Sequence, residues 1–145
     1  VLLNEGGVIV SKEEEHYGII AHNYLSPSTE YYLVGEEEVG ISDLNQFFSN
    51  GKDKNIELIF SFEAGKKFEV KTFRVNEEHG NIISGWKDIS YRSSLTSKDL
   101  EYLMLVAAPK ISIKQIASDL KGQLLLKEKL TANEFMYITI RPIEE

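Results

Sequence analysis

Apolar and polar residues alternate along much of the chain with a period of two. Ile56, Leu58, Phe60 and Phe62 share one parity in the segment Ile56–Glu63, the pattern of a half-buried strand. Glu63-Ala64-Gly65-Lys66 reads as a turn, and Lys67 to Val75 as a second strand. Their proximity predicts an antiparallel hairpin. Within the second strand the apolar parity changes between Phe68/Val70 and Phe73/Val75, which a bulge or a switch between sheets would explain.

The same pattern predicts strands at Gly7–Val10, His16–Tyr24, Ile111–Ile116, Gln123–Leu130 and Glu134–Arg141, completing a set of about seven. Asp119-Leu120-Lys121-Gly122 and Thr131-Ala132-Asn133 supply turns. Two segments have helical spacing instead. Thr96 can cap a helix with Asp99 as its capping-box partner, and Leu100, Leu103, Met104 and Ala107 then form one apolar stripe. Pro109 ends this main helix, which spans about residues 97–107. Ser42 to Asn50 is the candidate for a shorter second helix. The fold class expected is all-β: a two-sheet antiparallel sandwich with one main α-helix, filling residues 1–145 as one domain. A small closed barrel is the alternative. Parallel α/β folds are disfavoured because strands and helices do not alternate.

Charge and composition narrow the function. The formal charge is −7, and the runs Glu13–Glu15 and Glu36–Glu38 read as solvated edges. An acidic surface repels phosphate backbones, so direct nucleic-acid contact is not expected. No apolar run approaches the roughly eighteen residues of a membrane span. Cysteine is absent, which excludes disulfides and thiolate metal sites and is compatible with the cytoplasm. The chain has no initiator Met and no signal-peptide pattern, and a cut-out or processed piece of a larger chain is expected.

Candidate chemistry is sparse. His16, His22 and His79 have no second ligand at helical metal spacing, so no metal site is expected. No Ser stands in a Gly-x-Ser-x-Gly elbow, and Ser84-Gly85 reads as a turn before Trp86. Gly6-Gly7 lacks the features of a phosphate loop, and no cofactor is expected. A carboxylate pair near Glu77-Glu78 could in principle cleave a glycoside, but solvated loop acids explain it more simply. Tyr31-Tyr32, Phe47-Phe48, Trp86 and Tyr91 fall in or near loops, where aromatics either cap the core or offer a surface for sugar rings or another domain. His79, Trp86 and Tyr91 are the residues selected for an interface or sugar contact.

An ordered set of features carries a family resemblance. It comprises His22-Asn23-Tyr24, the run Val75-Asn76-Glu77-Glu78-His79-Gly80-Asn81, Trp86, the Leu95–Ala108 helix before Pro109, and Leu130-Thr131-Ala132-Asn133-Glu134-Phe135. The set resembles the C-terminal β-sandwich of glycoside hydrolase family 39, the β-xylosidase family. It departs where family members show Met-Gly after the Trp, because Trp86 is followed here by Lys87-Asp88-Ile89-Ser90. In that family two glutamates on a separate TIM barrel carry catalysis, one of them in Asn-Glu-Pro. Asn4-Glu5, Asn76-Glu77 and Asn133-Glu134 are followed by Gly, Glu and Phe, and a barrel needs roughly 200 residues. The resemblance therefore implies a non-catalytic accessory domain that packs on a neighbouring TIM barrel and assists homo-oligomer contacts. A similar region is fused in AraC-type transcription regulators, and the divergence after Trp86 tilts the reading towards that parent. A β-xylosidase-like enzyme is the alternative parent, and independent saccharide binding is the further alternative.

Overall fold

The computed structural model describes residues 1–40, 46–48 and 51–143. The candidate helix at Ser42–Asn50 falls largely outside them; within it, residues 46–48 form a 3₁₀ turn whose Phe47 is buried. The strands are β1 (Leu3–Glu5), β2 (Val8–Glu13), β3 (His16–His22), β4 (Lys54–Ser61), β5 (Lys67–Val75), β6 (Lys110–Ala117), β7 (Gln123–Leu130) and β8 (Phe135–Pro142). Two α-helices, α1 (Ile82–Asp88) and α2 (Ser97–Val106), lie between β5 and β6. Short 3₁₀ turns occupy Thr29–Leu33 and Glu36–Glu38.

The strands form a six-stranded sheet, ordered β1-β2-β3-β8-β5-β6, and a two-stranded sheet of β4 and β7. Every described pairing is antiparallel. The two sheets make the expected sandwich and do not close into a barrel. Val10, Ile19, Phe68, Val70, Met136, Ile138 and Ile140 from the large sheet meet Ile56, Phe60, Leu124, Leu126 and Leu130 from the small one. Each such side chain contributes about 1.5–3 kcal/mol on burial. Tyr17 sets its ring edge-on to Phe60 and Phe62, with centroids 5.1 and 5.5 Å away.

The hairpin expected from β4 and β5 does not form. β4 pairs with β7, and β5 pairs with β6 and β8, so the turn at 63–66 crosses between sheets. Periodicity identifies the buried face of a strand but not its neighbour. The crossing is tied to the β6–β7 connection: Ser118 N donates to Lys66 O at 3.0 Å, and Phe62 N to Gly122 O at 2.7 Å. The parity change within β5 is also not a bulge, since its register with β8 runs unbroken from Phe68 to Val75. Thr72 and Arg74 continue the inward face. Phe73 turns outward and stacks on Tyr137, with ring centroids 6.0 Å apart.

The main helix carries its predicted cap. Asp99 N donates to Thr96 Oγ1 at 3.2 Å, and Thr96 N to Asp99 Oδ2 at 2.8 Å. Its apolar stripe is not buried as expected: only Leu103 is buried, while Met104 is 74% and Leu105 77% exposed. The predicted turn at Ser84-Gly85 is instead the middle of α1, whose N-terminus Asn81 caps by accepting from Ile83 N at 3.1 Å and Ser84 N at 3.4 Å. Gly85 lets the helices close together, because a β-carbon there would lie 3.0 Å from Val106 Cγ1.

Candidate functional site

The residues that mark the resemblance converge where β5 ends and β7 turns into β8. Asn76 follows β5, and its side-chain oxygen accepts from Glu78 N at 3.0 Å and His79 N at 2.9 Å. Asn76 N in turn donates to His79 O at 2.8 Å, closing a tight loop. Gly80 has φ +73°, and its N–H reaches Val106 O at 2.9 Å, fastening the loop to the end of α2. Asn23, beyond β3, donates from Nδ2 to Lys52 O at 2.8 Å and Thr131 O at 3.0 Å. These short polar side chains satisfy backbone groups that the turns leave unpaired.

Beneath the loop lies a charged seam between the sheets. Arg74 faces inward from β5 and donates through Nη1 to Glu134 Oε1 at 2.8 Å and through Nη2 to Glu128 Oε2 at 2.6 Å. Glu128 faces inward from β7, so one guanidinium links both sheets. Glu134 is 2% exposed. Its Oε2 accepts from Thr131 N at 2.8 Å and Thr131 Oγ1 at 3.0 Å. Burial works to raise the Glu134 pKa, but the hydrogen bonds from Arg74 and Thr131 and the Arg74 charge outweigh it. The carboxyl therefore titrates below the usual glutamate range. Fully engaged and closed to solvent, Glu134 cannot meet a substrate.

The seam was legible as a flaw in the pattern. Phe68, Val70 and Thr72 predict an apolar or neutral residue at 74, and Leu124 and Leu126 predict one at 128. Opposite charges stand there instead, on facing sheets.

A cleft of about 630 Å³ opens beside the loop, lined by Asn76, Glu77, Asn81, Ile82, Ile83 and Asn133 among others. Glu77 is its carboxylate. A neighbouring depression of about 350 Å³ adds Asp53 and Glu78, and Asp53 is paired with Lys129 at 2.7 Å. Glu77 and Glu78 are exposed loop acids. Among the described residues no three of His, Asp or Glu are placed to hold a metal ion. No described helix is long and apolar enough to cross a membrane.

The three residues selected from the sequence belong to two local structures, the turn after α1 and the Asn76 loop. Trp86 and Tyr91 do come together, their rings edge-to-face with centroids 5.4 Å apart. Trp86 Nε1 donates to Arg92 O at 2.9 Å, which folds the turn after α1 around the indole. His79 belongs to the Asn76 loop, with Nδ1 3.3 Å from Asn76 Oδ1. Among the described ring contacts it meets neither aromatic.

No protein-family model and no curated protein matches the chain. Solved structures do. A glycoside hydrolase family 39 enzyme from Xanthomonas axonopodis pv. citri superposes with a TM-score of 0.68 at 10% identity, over 94% of this chain and 26% of its own. A monomeric β-xylosidase from Caulobacter crescentus gives 0.67 at 16% identity, over 95% and 26%. A bacterial orthologue of human α-L-iduronidase gives 0.61 at 12% identity, over 94% and 22%. The chain thus spans about a quarter of the length of these enzymes, and what it shares with them is the fold of that quarter.

Proposed function

We propose that the chain is a non-catalytic accessory sandwich that braces a catalytic barrel of the glycosidase type. The observation that carries this reading is coverage: nearly all of this chain corresponds to about a quarter of each enzyme. The internal chemistry agrees with it. Glu134 and Glu128 are spent on Arg74, and the acids of the cleft lie on an exposed loop. The helix pair is the proposed contact surface, with Trp86 and Tyr91 at its turn and Leu100, Met104 and Leu105 uncovered on α2. His79 acts by holding the loop from which the pair springs.

The enzyme parent is favoured over the AraC-type regulator parent, because each structure named above is an enzyme. The coding sequence around these residues tests the choice. An upstream barrel bearing two catalytic glutamates is expected; an upstream pair of helix-turn-helix motifs in place of a barrel would overturn it. Hydrolysis of an aryl xyloside by the 145-residue chain itself would overturn the non-catalytic assignment.

A further inference from the structure

β6 is the outermost strand of the large sheet and pairs with β5 alone. Its register decides which of its backbone groups are already bonded. Ser118 N donates to Lys66 O at 3.0 Å, and these two residues continue the alignment that sets Lys67 opposite Ala117. In an antiparallel ladder the N–H and C=O of one residue point to the same side, and that side alternates along the strand. The even-numbered residues of β6 therefore bond to β5. Ile111, Ile113 and Gln115 point their backbone groups away from the sheet, and no described residue pairs with them.

This edge lacks most of the usual protection. β6 is eight residues long, contains no proline and keeps an unbroken register with β5. Ile111 and Ile113 lie side by side on its outer face, 53% and 58% exposed. A long, regular, apolar edge is a template for another strand. The guard it has is charge, from Lys110 and Lys114 on the opposite face.

Charge also selects the occupant. The strand carries those two lysines and no acid, on a chain of formal charge −7. Lys114 meets Glu128 at 3.4 Å yet stays 51% exposed, and Lys110 has no ion pair among the described residues. Lys71, aligned with Ile113, adds a third cation beside the edge. A second copy of the chain fits poorly here. The outward groups belong to odd-numbered residues, so two β6 strands meet antiparallel only with even residues facing even ones. The central registers then set Lys114 opposite Lys110, opposite its own counterpart, or diagonal to both. Like charges in those positions destabilise a strand pair. The bare row of amides calls for a polypeptide, and the lysines call for carboxylates on it.

We infer that β6 is a docking edge for an extended acidic segment of a partner protein, which adds antiparallel to the large sheet with apolar residues beside Ile111 and Ile113 and carboxylates opposite Lys110 and Lys114. The edge is distinct from the helix pair and does not rest on the docking role proposed for it.

The test is a two-dimensional NMR titration of the 145-residue chain with two end-blocked heptapeptides, one alternating glutamate with valine and one alternating lysine with valine. In the free chain the amide hydrogens of Ile111, Ile113 and Gln115 should exchange fast, and those of Ser112 and Lys114 slowly. The glutamate peptide should shift and protect the first three. The lysine peptide should bind about tenfold more weakly, as attractive cross-strand pairs become repulsive ones. Ile113→Pro removes an outward N–H and spares the bonds to β5, so it should abolish binding of the glutamate peptide. Lys110→Glu should narrow the gap between the two peptides, and it serves where Ile113→Pro fails to fold. Unchanged spectra with the glutamate peptide, or equal binding of both peptides, overturn the assignment. So does protection of the same amides when the chain alone is concentrated, the mark of a second copy as occupant.

Discussion

Arg74 Nη1 and Glu134 Oε1 lie 2.8 Å apart inside one end of the sandwich, and the same guanidinium reaches Glu128 on the opposite sheet. A positive charge on β5 is thus matched by two carboxylates, one just before β8 and one on β7. Removing the arginine leaves the buried Glu134 without its cation, while Glu128 keeps Lys114 at 3.4 Å. Arg74→Met should cost about 3–5 kcal/mol at neutral pH, measured by urea denaturation. The deficit should shrink in acid, where the carboxylates can protonate.

The acid response follows from the direction of the Glu134 shift. Its folded pKa lies below its unfolded value, so it adds stability above the unfolded value of about 4.3. That stability is lost as the pH falls through the lower folded value. Stability of the native chain should therefore drop below about pH 4.3, and Glu134→Gln should flatten that part of the curve. At neutral pH the Gln variant should be less stable by about 1–3 kcal/mol, because Arg74 loses a charged partner.

Two turn glycines separate backbone strain from collision. Gly65 and Gly122 have φ +73° and +77°, but only Gly122 is crowded: a β-carbon there would fall 2.1 Å from Phe62 O, against open space at Gly65. Gly65→Ala should cost about 1 kcal/mol. Gly122→Ala should cost well over twice that, because the sheet crossing must shift. Thermal denaturation of the two variants measures the difference.

The helix pair should yield locally. Asn81→Ala removes the cap of α1 and should cost about 1 kcal/mol. Faster hydrogen exchange at Ile83 and Ser84 is the expected signature, with the β3 and β8 amides unchanged. Gly85→Val drives a side chain into Val106 and Leu103, and the same measurement should show both helices loosened while the sandwich core stays protected.

The sequence was most readable where one residue decides one local feature. The Thr96–Asp99 cap, the Gly122 turn and the strands that form β3, β7 and β8 all appear as expected. What escaped depends on partners distant in sequence. β4 resembled half of a hairpin because Lys67 begins another strand six residues after it ends, yet its partner β7 starts at Gln123. α1 escaped because Ser84-Gly85 looks like a turn, and only Val106 across the helix contact explains the glycine. The ring contact between Trp86 and Tyr91 and the return of the His79 loop to Asn76 are local geometry that the linear pattern does not display.

The position of β8 has a consequence for how the molecule is made. β1, β2 and β3 form one ribbon and β5 and β6 another, and in the large sheet only β8 joins them. Yet β8 is the last of the described strands to be synthesised. Until it leaves the ribosome, β3 and β5 each show a bare edge beside an unfilled slot, with Ile19 and Val70 unprotected. Nascent chains should depend on shielding of those edges until Phe135–Pro142 arrives to close the gap, and truncation before it should release two sticky ribbons rather than a smaller sandwich.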